Sequence, residues 1–129
     1  MKLLRRDRDG IGQSLDVYYR DAARTQRMDR LNAQFVSKGA LAFDIGAHVG
    51  DRTASFLRLG ASVVAVEPQP KVYRALKLIH GRNPHATLVR QAVGAEPGEV
   101  ELYVNSQNPT VSTASPDLIS RVRERRALL

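Results

Sequence analysis

The run Ala40-Leu41-Ala42-Phe43-Asp44-Ile45-Gly46-Ala47-His48-Val49-Gly50-Asp51 constrains this chain more than any other segment. Its first six residues are apolar except for Asp44 and read as a strand buried in a parallel sheet. Two glycines follow, and then residues 51–59 read as a helix with Ala54, Phe56, Leu57 and Leu59 on its apolar side, ended by Gly60. Glycine has no Cβ, so a strand feeding such a turn lets backbone and ligand approach closely. The helix start adds N–H groups with no intrahelical partner, which can receive ligand oxygens.

The same alternation continues downstream. Ser62-Val63-Val64-Ala65-Val66-Glu67 is a second β-rich run, cut off by Pro68 and Pro70. Val72 to Ile79 reads as a helix, Asn83-Pro84 as a turn, and Ala86 to Val93 as a third strand. Strands and helices alternating at this spacing imply βαβ units around a parallel sheet, an α/β fold. The first strand is expected to be covered on both faces and paired on both edges. Glu99 to Val104 alternates polar with apolar after the Glu96-Pro97-Gly98 turn, which predicts a half-exposed strand antiparallel to the third.

Upstream, residues 1–13 read as a mobile basic leader, with Gly10 and Gly12 breaking any early helix. Ser14 is the expected N-cap of a helix that runs to Gly39, with Asp16 at the positive end of its dipole. Met28, Leu31 and Phe35 would form the apolar face of its second half. Tyr18 and Tyr19 either pack at the helix start or cover a ligand. At the other end, 108–116 is a Ser/Thr/Pro loop, and Asp117 to Leu129 is expected to form a short basic helix.

Composition narrows the function. The 129 residues fit one domain, and no apolar run approaches the ~20 residues of a membrane span. The charged start, Met1-Lys2-Leu3-Leu4-Arg5-Arg6-Asp7, is no secretory signal, and a cytoplasmic location is the expectation. With no cysteine there is no disulfide framework, thiolate metal site or catalytic thiol, and no metal is expected. The net charge of +7 is spread along the chain, without zinc-finger spacing or an RNA-binding aromatic signature. A solvated basic surface accounts for it, and nucleic acid is not the expected partner.

Glu67 follows Gly50 by seventeen residues and closes the second strand. In nucleotide-binding doubly wound folds an acid about 20 residues beyond the glycine turn binds the ribose hydroxyls. The dinucleotide fingerprint G-x-G-x-x-G is not satisfied, because the turn reads Asp44-x-Gly46-x-x-x-Gly50. A pyrophosphate there would meet the Asp44 carboxylate, whereas a ligand with an ammonium and a sulfonium would be matched by it. S-adenosylmethionine has both groups, and a ribose for Glu67. Asp44 holding only the turn amides is the competing structural reading.

Phe43 to Thr53, then Val64-Ala65-Val66-Glu67-Pro68, then Gln91-Ala92-Val93-Gly94 resemble the FkbM-type S-adenosylmethionine-dependent methyltransferases in order and spacing. The similarity covers roughly residues 35–115. It implies a Rossmann-like methyltransferase fold and an O-methyltransferase acting on a small-molecule or glycan acceptor. Asp44, Gly46, Ala47 and Gly50 would line the methionine end of the cofactor. Glu67 would take the ribose, and Gln91 and Ala92 would lie beside the adenine. His48 and Pro68 complete the expected cofactor-binding set. His48 stands where asparagine is common in the family, and is read as tolerated in the turn and not catalytic.

On this resemblance residues 14–129 are a partial methyltransferase domain. It is expected to hold the first three parallel strands, an added antiparallel strand and the cofactor-binding half. No catalytic base is assigned. The first strand is central in the family fold, so its second edge would be bare here, inviting self-association. Two other readings stay open. One is a non-catalytic, truncated binding or interaction module. The other is a nucleotide-binding domain for another ligand, such as a dinucleotide.

Overall fold

In a computed structural model, residues 10–105 and 107–117 are described. Three short runs form β1 (Leu41–Ile45), apolar except for Asp44, and the valine- and alanine-bearing β2 (Ser62–Val66) and β3 (Ala86–Val89). They make one parallel sheet in the order β1-β2-β3. Leu41 pairs with Ser62 and Ile45 with Val66, while Val63 pairs with Ala86 and Val66 with Val89. The carboxyl ends of β1 and β2 therefore finish side by side. This is the α/β, three-stranded parallel arrangement that the alternation predicts.

The crossovers are α3 (Asp51–Arg58) and α4 (Pro70–His80), numbered after two N-terminal helices, α1 (Gly10–Arg20) and α2 (Ala22–Asn32). Pro70 opens α4, where its missing N–H has no partner to lose. Both crossovers cover the same sheet face. Ala47, Val63, Ala65 and Leu76 form the buried centre, with Phe56 and Leu57 of α3 and Tyr73 of α4 packed against it. Burying a side chain such as Leu76 stabilises the fold by roughly 1.5–3 kcal/mol.

The other sheet face departs from expectation. Leu41, Phe43 and Ile45 are 63%, 61% and 52% exposed, so β1 is covered on one face only. Among the described residues β1 has β2 as its single strand neighbour. The apolar run at β1 signals a face that needs covering, and the described residues leave it open.

The N-terminal helix divides where a continuous one is predicted. Asp21 takes an extended conformation and caps α2 by accepting from the Arg24 N–H at 2.9 Å, so its side chain competes with the helix and starts a new one. Ser14 is not an N-cap. It sits inside α1, which begins at Gly10, and its hydroxyl donates to the Gly10 carbonyl at 2.9 Å. Gly10 does not break the helix, because it is buried against Pro109, where any side chain would collide. The second helix ends at Asn32, well before Gly39.

The expected apolar face of α2 is not its docking surface. Leu31 and Phe35 are 57% and 80% exposed, and no residue of the helix is fully buried. Polar contacts to α3 do the work instead. Asp29 receives Ser55 Oγ at 2.6 Å and Arg58 Nη2 at 2.8 Å, and Asn32 donates to Ser55 Oγ at 2.9 Å. The Arg58 guanidinium holds the Asp29 carboxyl below the usual carboxylate range.

Past β3 the chain is largely exposed. The predicted strand over 99–104 is replaced by an isolated antiparallel bridge between Tyr103 and Thr113, so among the described residues β3 gains no antiparallel neighbour. A 3-10 turn at Pro109–Val111 follows. The basic helix expected from Asp117 to Leu129 lies outside the described residues beyond Asp117, as does the leader before Gly10.

Candidate functional site

The side-by-side ends of β1 and β2 open onto a cavity of about 400 Å³, in the range of small-molecule sites. The turn after β1 forms its floor. Gly46 and Ala47 each donate their N–H to the Val66 carbonyl at 2.9 Å, stitching the turn to β2. Gly46 has φ +74°, and a Cβ built there would meet nothing within 4 Å. It therefore borders open space on the cavity side.

His48 also takes the left-handed conformation, with φ 55°. Asparagine and histidine are among the few side chains enriched there, so histidine is accommodated in the turn. Its N–H donates to Glu67 Oε2 at 2.9 Å, and the Gln69 N–H donates to Glu67 Oε1 at 2.9 Å. Glu67 is thus a brace between the two loops as well as a cavity wall. Each of its oxygens keeps further lone-pair capacity for a ligand hydroxyl. Asp44, 3% exposed, accepts from the Thr53 hydroxyl at 2.7 Å. That bond ties the carboxylate to α3, while the Gly46 and Ala47 N–H groups go to Val66, the His48 N–H to Glu67 and the Gly50 N–H to Ala47.

The structure brings Asp44, Gly46, Ala47, His48, Glu67 and Pro68 into the lining of one cavity. The lining does not include three residues that the family resemblance had placed there. Gly50 lies beneath the turn, where an added Cβ would come within 2.5 Å of Leu76 and 2.8 Å of His80. Its glycine is required by packing on α4. Gln91 and Ala92 are exposed, on the chain beyond the end of β3, and line no part of the cavity. The β3 ladder stops at Val89.

The walls come from residues with no local motif. Tyr18 of α1 and Arg24 of α2 form one side. Leu102, Pro109, Thr110 and Ser112 form another. Gln69 secures that second wall, donating to the Pro109 carbonyl at 3.1 Å and accepting from Ser112 Oγ at 2.8 Å. Tyr19 bolts α1 down beside the turn. Its hydroxyl donates to the Val49 carbonyl at 2.7 Å and lies 3.0 Å from His80 Nε2, and burial pushes its pKa up. Of the two tyrosines, Tyr18 thus faces the cavity and Tyr19 packs.

Burial holds both His48 and His80 below the ordinary imidazole value of 6.5. Below that pH the unfolded chain binds more protons than the folded one, so their stabilisation is complete above about pH 6.5 and declines toward the lower folded values. The thermal midpoint should therefore fall as pH drops from about 7 to about 5.5, and His80→Gln should flatten the slope. A midpoint that does not move over this range would mean that neither ring is held neutral by burial.

Among the described residues, no group of three or more His, Cys, Asp or Glu could hold a metal ion. Among the same residues, no helix is long and apolar enough to cross a membrane.

The family model described as "Methyltransferase FkbM domain" matches residues 44–126, well over half of the chain. The chain belongs to the FkbM methyltransferase family. No curated protein matches it. Three solved structures are similar to parts of this FkbM-family chain. The glycopeptide N-methyltransferase MtfA complexed with S-adenosyl-L-methionine is 26% identical, over 59% of this chain and 32% of that one, with a TM-score of 0.47. The 1,6-didemethyltoxoflavin-N1-methyltransferase of Burkholderia thailandensis, with S-adenosylhomocysteine bound, is 25% identical over 70% of this chain and 40% of that one, at a TM-score of 0.46. A SAM-dependent methyltransferase from Agrobacterium tumefaciens is 11% identical over 54% and 23%, at 0.43. The FkbM-family chain spans less than half the length of each of these structures.

Proposed function

We propose that this chain binds S-adenosylmethionine in the cavity at the ends of β1 and β2. There it would serve methyl transfer to an oxygen of a small-molecule or glycan acceptor. The observation that carries the reading is the pairing of Asp44 and Glu67. They are two carboxylates at the ends of adjacent parallel strands, lining one cavity on either side of an open glycine. The residues suit the group. Asp44 matches an ammonium, Glu67 has lone pairs for ribose hydroxyls, and Gly46 leaves room for close approach. His48 lines the same cavity, its ring nitrogens without a hydrogen-bond partner among the described residues.

When bound, S-adenosylmethionine supplies an electrophilic methyl group on a sulfonium. The chain's own contribution is to bind and orient. Negative charge at Asp44 and Glu67 favours the cationic cofactor over its neutral-sulfur product, and Thr53 holds Asp44 in place for that purpose. The same acids oppose a pyrophosphate, which argues against a dinucleotide.

Titration calorimetry should show binding of S-adenosylmethionine and none of NAD. Glu67→Ala should weaken cofactor binding by about 1–3 kcal/mol, the scale of hydrogen bonds to a charged group. Glu67→Gln should lose less, because it keeps one oxygen acceptor. Unchanged affinity in the alanine variant would remove Glu67 from the site, and binding of NAD alone would replace the methyltransferase reading with a nucleotide-binding one.

A further inference from the structure

We propose that Arg24 recognises the carboxylate of the cofactor's amino-acid end, so that the cavity reads the zwitterion with Arg24 and Asp44 together. This rests on the reading that S-adenosylmethionine occupies the cavity. Arg24 lies outside the segment matched by the family, residues 44–126, and belongs to α2. Nothing in the glycine turn or the second strand points to it.

Three features fix the guanidinium as a receptor. Its Nη2 donates to Asp51 Oδ2 at 2.8 Å, which anchors it to the first residue of α3. Its Cζ stands 4.7 Å from the centroid of the Tyr18 ring, so the plane is held on an aromatic face. Its Nη1 is buried and has no hydrogen-bond partner among the described residues. A buried charged donor left unpaired is costly, and a planar guanidinium already locked at one nitrogen is preorganised to take a carboxylate oxygen at the other.

The charges around it select the ligand. Arg24 lines the cavity together with the acids Asp44, Asp51 and Glu67 and the base Arg52. A multiply charged phosphate would be repelled by three carboxylates. A carboxylate and an ammonium on one carbon meet both signs at once, the first at Arg24 and the second at Asp44. Tyr18 ties this subsite to the turn, since its ring stands edge-on to His48 with centroids 6.2 Å apart.

Calorimetry with three ligands tests the assignment: S-adenosylmethionine, its decarboxylated form, and 5′-methylthioadenosine, which lacks the whole amino-acid end. The wild-type chain should prefer S-adenosylmethionine to the decarboxylated form by roughly 10- to 100-fold, the scale of a hydrogen-bonded charge pair. Arg24→Met should lose that preference, while its affinity for the decarboxylated form and for 5′-methylthioadenosine changes by less than about 3-fold. Arg24→Lys, which keeps the charge without the planar fork, should retain an intermediate preference. Far-UV circular dichroism checks the fold of each variant, and if the methionine variant is unfolded the ratio in Arg24→Lys decides. Arg24→Met that keeps the wild-type preference would overturn the Arg24 assignment alone. A wild-type chain that binds none of the three would overturn the cofactor reading beneath it.

Discussion

Gly50→Val is expected to unfold the chain or bring it close to unfolding, whereas Gly46→Val leaves it folded and unable to bind cofactor. The two glycines share one turn and almost one backbone conformation, φ +74° at Gly46 and +82° at Gly50. A β-branched residue in that region costs about 1–3 kcal/mol at either position. The sites differ in what a Cβ meets. At Gly50 it would lie 2.5 Å from Leu76 Cδ1 and 2.8 Å from His80 Cδ2, both in buried residues of α4. Overpacking of that kind adds about 1–3 kcal/mol, a large share of a total stability of roughly 5–15 kcal/mol. At Gly46 the Cβ enters open space at the cavity, so its stability effect is the strain alone and its functional effect is obstruction. Denaturant melts and cofactor titrations on both variants separate the two. A Gly46→Val chain that binds S-adenosylmethionine normally would place the ligand elsewhere. Equal melts for the two variants would mean that α4 does not pack on the turn.

The second large effect expected is self-association. Leu41, Phe43 and Ile45 project from the open face of β1, each more than half exposed, and the strand's outer edge is unpaired among the described residues. Covering a side chain of this size is worth roughly 1.5–3 kcal/mol, so three in a row on a bare strand favour association between copies. Static light scattering of the chain should show a mass that rises with concentration. Phe43→Lys should shift it toward the monomer, since a charge on an edge strand opposes strand pairing and burial. A monodisperse monomer across the concentration range would sink the proposal.

What could be read from the residues was whatever a few neighbours decide among themselves. The strand at Leu41–Ile45 shows as an apolar run broken only by Asp44, and that at Ser62–Val66 as a valine-rich run. Pro70 marks the start of α4, and the spacing of Asp44, Gly46 and Glu67 announces the site, because a parallel βαβ unit places consecutive strand ends together. Sequence could not tell the two turn glycines apart. Both need a positive φ, but only packing shows that one faces the cavity and the other faces Leu76. Phe35 and Leu31 carry the helical period of a core face and yet are exposed, because the polar cluster of Asp29, Asn32, Ser55 and Arg58 sets how α2 docks. Gln91 and Ala92 lie beyond the end of β3 and do not line the cavity. Arg24 reaches it from a helix upstream of β1, and Leu102, Thr110 and Ser112 from the chain beyond β3, with no pattern around them to mark it. The sequence by itself determined the strand–turn–helix unit and its acids, because φ preferences and hydrophobic period are local. Which residues wall the cavity was decided by the tertiary structure alone, because that depends on how separate helices and loops pack around one another.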